Sequence, residues 1–256
     1  MAIATGEIDL SGDRILVTGG GRGIGRGMAE AFARWGASVA VFDAVKAGVD
    51  ETCAALAAYP ARSFGAVVDV TDESAVASGV DAAWESLGGI DLLVNNAGVL
   101  SVAPVAELEL AEWRRILDVN ATGTFLMSRA VVRKLLDQQQ SGSIVSIASI
   151  GGKRGDPGIA HCAASKFAVI GFTQALAREV AENDILVNAV CPGVVETKMI
   201  ADMAAQARVS PTDWIRNQSI RRSQTPRDIA FAAAFLHRSR AMTGQAINVD
   251  GGTVFN

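Results

Sequence analysis

The chain has 256 residues, half of them apolar and a fifth charged, and its formal net charge is -4. This length and composition predict a single α/β domain spanning residues 1–256. They exclude a disordered chain, which would be poorer in apolar residues and richer in charge. No basic run exceeds two residues, and no apolar run approaches a membrane span. We therefore expect neither nucleic acid nor a membrane as a partner.

The three cysteines, Cys53, Cys162 and Cys191, have no C-x-x-C spacing. Isolated thiols of this kind fit a reducing compartment better than a secreted disulfide framework. The first 14 residues lack the basic start and apolar stretch of a secretory signal. The sequence predicts a cytoplasmic protein without a metal site.

Seven short runs rich in β-branched residues alternate with segments of helical spacing. The runs predict strands at residues 14–19, 38–43, 63–68, 90–95, 143–148, 185–191 and 245–249. In the first helical segment, Ile24, Met28 and Phe32 recur four residues apart and would form one apolar stripe against a sheet. The alternation predicts a doubly wound parallel sheet with helices on both faces, which binds ligands at the carboxyl ends of its strands.

One segment, residues 194–226, has no strand pattern. It contains Met199, Met203, Trp214 and Ile215 among polar residues. This pattern fits a helical lid over a site, and a helical hairpin on the surface is the alternative.

The first strand leads directly into TGGGRGIG at residues 18–25, which opens the amphipathic helix. Glycines at 19, 23 and 25 would allow a tight turn, an approach of backbone N–H groups to a pyrophosphate, and close packing of the helix on the strand. A simple tight turn is the alternative. The context after a strand and before a helix favours a dinucleotide site.

Asp43 ends the second strand, about 20 residues beyond the loop. A carboxylate there accepts hydrogen bonds from a ribose 2′-hydroxyl and repels a 2′-phosphate, which favours NAD over NADP. Arg22 and Lys46 lie nearby in the sequence and are able to meet a 2′-phosphate, so NADP stays as the less favoured cofactor.

With NNAG at residues 95–98 and PG at residues 192–193, the chain resembles the short-chain dehydrogenase/reductase family from residue 14 to residue 252. The resemblance implies a Rossmann-type fold and hydride transfer between a nicotinamide and a secondary alcohol or its ketone. Asp69 and Val70 would border the adenine, and Val195 and Thr197 the nicotinamide carboxamide. The implied cofactor contacts are Gly19, Arg22, Gly23, Ile24, Gly25, Asp43, Asp69, Val70, Asn96, Ala97, Gly98, Lys166, Pro192, Gly193, Val195 and Thr197.

The family's chemistry uses Asn, Ser, Tyr and Lys, with Tyr and Lys four residues apart on one helix. Asn120, Ser149 and Lys166 match three of these positions, and Cys162 occupies the fourth. Cys162 lies four residues before Lys166 and 162 − 149 = 13 residues after Ser149, and the only tyrosine, Tyr59, is far away in the sequence.

In the complete family site, Lys166 would lower the pKa of a tyrosine phenol and bind the nicotinamide ribose. Ser149 would hold the substrate oxygen, and Asn120 would support a water chain to solvent. The plainer alternatives make Ser149 a turn residue and Asn120 a helix-kink residue. His161 lies five residues before Lys166 and so on another helix face, and we predict a structural role for it.

Three interpretations of Cys162 remain open. In the first, the chain is a dehydrogenase that is strongly impaired, because its catalytic tyrosine is replaced by a thiol too short to reach the substrate. Alternatively, it is a non-catalytic NAD-binding sensor or scaffold. In the third interpretation the thiol itself reacts, with a pKa lowered by Lys166.

The segments flanking the site are mixed in character. An apolar secondary alcohol is favoured by Met199, Met203 and Trp214. A diol, polyol or hydroxyketone is favoured by Lys153, Arg154 and Asp156. In its overall character the sequence is similar to family members that oxidise such alcohols. The predicted substrate contacts are Ser149, Gly151, Asp156, Met199 and Trp214.

Assembly is also implied by the resemblance. The helices around residues 120–136 and 157–179 form the dimerising face in most relatives. We therefore expect a homo-oligomer, either a tetramer or a dimer.

Overall fold

The computed structural model describes residues 8–207, 209–216 and 218–255. The first seven residues of the expected signal-free N-terminus, positions 208 and 217 of the expected lid, and residue 256 lie outside the described residues. All predicted site residues fall within them.

Seven parallel strands form one sheet in the order β3-β2-β1-β4-β5-β6-β7. The strands are β1 Arg14–Thr18, β2 Ser38–Asp43, β3 Ser63–Val67, β4 Leu92–Asn95, β5 Gly142–Ile147, β6 Ile185–Pro192 and β7 Ala246–Val249. The predicted seven-stranded Rossmann-type sheet is therefore confirmed. Because β1 lies between β2 and β4, the winding reverses at β1, and such switch points form the ligand crevice.

Strand ends differ slightly from the prediction. β4 begins at Leu92 rather than Ile90. Asp91 still pairs with β1 before that point, since its N–H donates to the Arg14 carbonyl at 2.8 Å and its Oδ2 accepts hydrogen bonds from Arg14 N–H at 2.9 Å and from Arg14 Nε at 2.8 Å. β6 continues to Pro192, which pairs with Val249 of β7.

Nine helices of the described residues connect or flank the strands. They are α1 Gly23–Arg34, α2 Lys46–Leu56, α3 Glu73–Leu87, α4 Leu110–Leu117, α5 Gly123–Asp137, α6 Ala160–Glu179, α7 Lys198–Ala207, α8 Pro211–Ile215 and α9 Pro226–Arg238. Within this part of the chain, no helix has both the length and the apolar character needed to cross a bilayer.

Two apolar layers hold the helices on opposite faces of the sheet. Ile15 and Val17 enter the layer beneath α1 and α9, whereas Leu16 enters the layer beneath α3, α5 and α6, as expected for alternating strand residues. The predicted stripe of α1 is confirmed, with Met28 and Phe32 fully buried in the first layer.

The segment 194–226 is helical, as predicted, and contains α7 and α8. An isolated parallel β-bridge between Val195 and Gln224 joins the two ends of this segment. Gln224 N–H donates to the carbonyl of Val194 at 2.9 Å, and Glu196 N–H donates to the carbonyl of Gln224 at 3.0 Å. The segment is thus anchored at the end of β6.

Candidate active site

The glycine-rich loop lies against the end of β4. Gly19 has φ +61°, a left-handed conformation, and a Cβ on it would lie 2.7 Å from Ala97 Cα. A Cβ on Gly25 would overlap the Gly19 carbonyl oxygen and the Asn96 amide. Only glycine fits at positions 19 and 25, where the loop, α1 and the end of β4 approach each other closely.

The loop ends at the N-terminus of α1, which Gly23 and Ile24 open. The exposed Arg22 is the N-cap residue and makes no side-chain cap hydrogen bond within the described part of the chain. A helix start of this kind directs backbone N–H groups and a partial positive charge outward. This cradle fits the pyrophosphate of a dinucleotide.

Thr18 and Asn96 fasten the loop to β4. Thr18 Oγ1 accepts hydrogen bonds from the N–H groups of Asn96 and Ala97, each at 3.0 Å. The Asn96 amide donates to the carbonyls of Thr18 at 2.9 Å and Gly19 at 3.1 Å. Asn96 therefore organises the loop, and Thr18 is a positioning residue that the sequence motif contained but that we did not single out.

Asp43 lies at the edge of the same loop. Its Oδ2 accepts a hydrogen bond from Gly21 N–H at 2.9 Å, and its Oδ1 accepts one from Val45 N–H at 3.0 Å. Asp43, Gly21 and Arg22 line a depression of about 280 Å³. The carboxylate thus faces a space next to the loop where a ribose would fit.

Two predicted adenine contacts follow β3. Asp69 is exposed, and its Oδ1 accepts a hydrogen bond from Thr71 N–H at 2.9 Å. Val70 is buried and packs against Gly123, where a Cβ would lie 2.6 Å from Val70 Cγ2. Val70 thus links the end of β3 to the start of α5.

The predicted nicotinamide contacts follow β6. Pro192 ends this strand, and Gly193 N–H donates to the carbonyl of Val249 at 3.0 Å. The Val195 side chain is buried, and Thr197 Oγ1 donates to the Val195 carbonyl at 3.3 Å. These residues lie at the carboxyl edge of the sheet, as predicted.

Three of the predicted catalytic positions come together at this edge. A Cβ on Gly98 would lie 3.3 Å from Asn120 Oδ1 and 3.6 Å from Lys166 Nζ, so both side chains pack close to Gly98. Lys166 Nζ donates to the carbonyl of Ile147 at 2.8 Å, and Ser149 follows two residues later. Ser149 Oγ accepts a hydrogen bond from Gly151 N–H at 3.0 Å.

Asn120 lies in a π-helical turn, Asp118–Thr122, between α4 and α5. Its amide donates to the Val99 carbonyl at 3.0 Å and to Ser165 Oγ at 2.9 Å, and its Oδ1 accepts from Val99 N–H at 2.8 Å. Asn120 thus lies at an irregular turn between two helices, and π turns recur at functional sites. Ser165 is a second positioning residue that sequence reasoning missed.

Cys162 occupies α6 one turn before Lys166 and is 6% exposed. Burial raises the pKa of its thiol, and the nearby Lys166 ammonium acts in the opposite direction without offsetting it. Burial therefore disfavours the interpretation in which Lys166 makes this thiol reactive, which was one of three left open by the sequence. Burial likewise lowers the pKa of the Lys166 ammonium, against smaller opposing effects of Cys162 and Cys191.

Comparison with known proteins identifies the family. The sequence profile of short chain dehydrogenases matches residues 13–208, most of the chain. This chain belongs to the short-chain dehydrogenase family. Members of the family are oxidoreductases that bind a nicotinamide cofactor and act on small molecules.

Individual relatives extend over nearly the whole length of this short-chain dehydrogenase. The chain is 36% identical over 245 residues to a 3-oxoacyl-[acyl-carrier-protein] reductase of Chlamydia muridarum, covering 93% of this chain and 95% of the relative. It is 36% identical over 248 residues to 2-(S)-hydroxypropyl-CoM dehydrogenase 3 of Xanthobacter autotrophicus, covering 95% and 97%. A short-chain type dehydrogenase/reductase of Mycobacterium marinum superposes with a TM-score of 0.90 at 34% identity, covering 97% and 98%.

In this short-chain dehydrogenase, His161 is engaged away from Lys166. Its Nε2 lies 2.8 Å from Ser101 Oγ, which donates to Glu112 Oε1 at 2.5 Å. Because the carboxylate takes the hydroxyl hydrogen, the ring Nε2 is the donor to Ser101. Burial lowers the pKa of His161, and hydrogen bonds from Arg115 and then Ser101 lower the pKa of Glu112 to about 2. These contacts fit the structural role predicted for His161.

The predicted substrate contacts of the short-chain dehydrogenase are spread over two segments. Gly151 is buried beside Ser149, and Asp156 pairs with Arg154 at 3.4 Å. Met199 on α7 is 41% exposed, and Trp214 on α8 is half-buried.

Lys153 departs from the expectation that it would bind substrate. Its Nζ donates to the carbonyl of Ala246 at 2.7 Å and is thus drawn to the edge strand β7. No local pattern predicts this contact, because it joins residues 93 positions apart.

Proposed function

We propose that this chain belongs to the NAD-dependent branch of oxidoreductases that interconvert a secondary alcohol, diol or polyol and its ketone, and that Cys162 strongly impairs it. The observation that carries the proposal is that Asn120 Oδ1 and Lys166 Nζ meet at Gly98, on the carboxyl edge of the sheet. Residue 162 lies one helical turn before Lys166. A proton-transferring side chain is needed at that position.

Each group has a defined task in the proposed reaction. A bound nicotinamide supplies or accepts the hydride. Ser149 Oγ holds the substrate oxygen, and Lys166 Nζ holds the nicotinamide ribose and favours an anionic proton acceptor at residue 162. Asn120 fixes the loop after β4 to α6 and keeps Lys166 beside that loop. The thiol is short, buried and weakly acidic, so proton transfer falls to water.

Asp43 supports NAD over NADP. Its carboxylate borders the depression beside the glycine loop, where a ribose 2′-hydroxyl would donate to it and a 2′-phosphate would be repelled. Lys46 is occupied, with its Nζ 2.7 Å from Asp50 Oδ2. Arg22 is exposed at the same depression and keeps NADP as the less favoured cofactor.

Asp43→Asn is expected to weaken NAD binding about tenfold or more, because it removes a charge-assisted hydrogen bond worth roughly 1.5–3 kcal/mol. Binding of NADP should improve relative to NAD. Titration of tryptophan fluorescence with each nucleotide measures both constants. Asp81→Asn on α3, far along the chain from this depression, is the matched control and should change neither. Unchanged discrimination in Asp43→Asn would remove Asp43 from the cofactor site.

The names of two relatives support a substrate with a secondary carbinol carbon. One is named for reducing a 3-oxoacyl group and the other for a 2-hydroxypropyl group. The first name gives a ketone and the second a secondary alcohol, the two sides of the proposed reaction. The mixed polarity of Asp156, Met199 and Trp214 extends the proposed class to diols and polyols.

The helical faces of α5 and α6 support a homo-oligomer. Phe125 is 41% exposed and Phe167 48% exposed, and Phe125 packs edge-on against Phe172 with ring centroids 6.2 Å apart. A Cβ on Gly171 would meet nothing within 4 Å, so the α6 surface is open to a second helix. Such self-complementary faces form twofold interfaces.

Phe167→Glu is expected to separate the oligomer into smaller species, because it buries a charge in an apolar contact. Light scattering coupled to gel filtration measures the mass. Val105→Glu, at a side chain that is 71% exposed outside these helices, should leave the mass unchanged. A monomer before substitution would contradict the proposed assembly.

The alternative function is a non-catalytic NAD-binding sensor or scaffold. The buried thiol favours it, since a side chain with a raised pKa offers no proton acceptor at neutral pH. Three free thiols fit the proposed cytoplasmic location of either form.

Nucleotide binding and turnover test the proposal together. We expect NAD to bind and NADH to form slowly with at least one compound from a panel of secondary alcohols, diols and polyols. Absence of binding to either nucleotide would overturn the proposal. Binding without turnover, even after tyrosine is introduced at residue 162, would favour the sensor or scaffold.

A further inference from the structure

One loop, here called the wall loop, comprises residues 97–104 and follows β4 along the candidate active site. Helix α7, in the segment predicted as a lid, contacts this loop directly, since Val102 N–H donates to Gln206 Oε1 at 3.2 Å. Val102 is half-buried, and Gln206 is exposed near the end of α7. The position of the wall loop therefore helps to set how closely α7 approaches the site.

The wall loop is held at three alternate residues. Val99 N–H donates to Asn120 Oδ1 at 2.8 Å, and Ala103 N–H donates to the carbonyl of Gly158 at 2.8 Å. Ser101 lies between these two points and is held through its side chain. The residue whose N–H contacts α7 thus lies directly between two anchored neighbours.

The hydroxyl of Ser101 is bound from two helices. It donates to Glu112 Oε1 on α4 at 2.5 Å and accepts a hydrogen bond from His161 Nε2 on α6 at 2.8 Å. Arg115 fixes the Glu112 carboxylate, because its Nε and Nη2 each donate to that carboxylate at 2.7 Å. One side-chain oxygen of the wall loop therefore joins α4 to α6.

The imidazole of His161 makes this contact at a cost. The side chain is fully buried, and its Nδ1 has no hydrogen-bond partner among the described residues. Because Nε2 carries the hydrogen donated to Ser101, Nδ1 is a bare acceptor. A buried acceptor without a partner destabilises the folded chain, so packing alone does not account for a histidine at this position. The bond through Nε2 does account for it.

We propose that His161 is a positioning residue for substrate binding, which acts through Ser101 to hold the wall loop where α7 rests on it. The inference rests on the proposed function for the substrate, a secondary alcohol, and not for the loop. An apolar side chain at residue 161 would leave the Ser101 hydroxyl bound to Glu112 alone. The wall loop would then lose its side-chain contact with α6, and the alcohol would bind more weakly.

Binding of NAD is expected to be independent of this contact. The predicted NAD contacts in the wall loop, Ala97 and Gly98, precede Ser101. Ala97 N–H donates to Thr18 Oγ1 at 3.0 Å, and the next residue after Gly98 is held by Asn120. These bonds remain when residue 161 changes.

Amide hydrogen exchange tests the positioning step in the full chain, without nucleotide. Ser101→Ala and His161→Leu each remove the bond between the two side chains, whereas His161→Gln keeps an N–H donor near the place of Nε2. We expect the peptide covering the wall loop to exchange at least about tenfold faster in Ser101→Ala and His161→Leu, because exchange follows local opening. His161→Gln should exchange like the unmodified chain. A peptide covering β1 should not change in any form, which separates opening of the loop from general unfolding.

Kinetics in the Cys162→Tyr form test the consequence for the substrate. His161→Leu is expected to raise the KM for the alcohol at least about tenfold while kcat stays within about threefold, the pattern of weakened binding with unchanged chemistry. His161→Gln should restore the KM, and the Kd for NAD should be the same in all forms. Because both side chains act through one contact, the double variant of Ser101→Ala and His161→Leu should be no worse than Ser101→Ala alone.

Thr173→Val is the matched control for the changes at His161. Thr173 is also fully buried on α6, and its hydroxyl has no hydrogen-bond partner within the described ranges. Valine has nearly the same shape without the hydroxyl, so exchange of the wall loop and the KM should both stay unchanged.

The outcomes separate this inference from the proposed function. Exchange needs no turnover, so an inactive chain leaves that result intact, and if His161→Leu does not fold, Ser101→Ala decides. Unchanged exchange of the wall loop in the variants would overturn the inference and leave hydride transfer standing. A KM raised as much by His161→Gln as by His161→Leu would also overturn it, because the N–H donor would then be irrelevant.

Discussion

Cys162→Tyr is expected to raise the turnover number for oxidation of secondary alcohols with NAD by about 10²- to 10⁴-fold, the usual contribution of a positioned general acid or base. The present thiol is buried, which raises its pKa, and we propose that its short side chain does not reach the substrate. Lys166 is already held one turn away by the Ile147 carbonyl and would lower the pKa of a phenol placed there. Initial rates of NADH formation over a panel of alcohols, diols and polyols measure the gain.

Cys162→Phe is the matched control for Cys162→Tyr. It adds the same ring without the hydroxyl, so it fills the same volume and transfers no proton. We expect the phenylalanine form to stay as slow as the unmodified chain. Equal rates for the Phe and Tyr forms would show that filling space, and not proton transfer, limits this site.

Gly25→Ala is expected to lower NAD affinity by about 10- to 100-fold, because overpacking of this kind costs about 1–3 kcal/mol. The added methyl group would overlap the Gly19 carbonyl oxygen and the Asn96 amide, so the loop or the helix must shift. Either shift disturbs the backbone N–H groups proposed to face the pyrophosphate. Calorimetric titration measures the affinity, and a thermal melt measures any loss of stability.

Gly155→Ala separates the effect of Gly25→Ala from a general effect of losing a glycine. A Cβ on Gly155 meets nothing within 4 Å, so NAD binding and stability should stay as they are. Tight NAD binding by the Gly25→Ala form would mean that the glycine loop is only a turn.

The pattern of strands was predictable because buried parallel strands are short β-branched runs. The ends of the strands were less predictable, as at β4, where Asp91 binds Arg14 through both its main chain and its side chain just before the strand begins. The glycine loop was also predictable, since its chemistry is local in the sequence. Its fastening by Thr18 and Asn96 was not, because that contact joins residues about 78 positions apart.

The candidate catalytic residues likewise combine features that were predictable from the sequence with features that were not. The spacing of Ser149, Cys162 and Lys166 is a property of the sequence and led to the correct helix. The π turn at Asn120 and its hydrogen bond to Ser165 depend on tertiary packing. The three interpretations of Cys162 stayed open because the sequence does not display its burial, which raises the pKa of the thiol against the effect of the nearby ammonium.

Isotope transfer tests the central claim most directly. The Cys162→Tyr form is given NAD and alcohols from the panel that carry deuterium on the carbinol carbon, and the nucleotide product is analysed by mass spectrometry. The account predicts NADH that contains one deuterium, delivered from the substrate carbon to the nicotinamide. Bound NAD that never acquires deuterium from any alcohol of the panel, in either form, would contradict it and leave a binding protein.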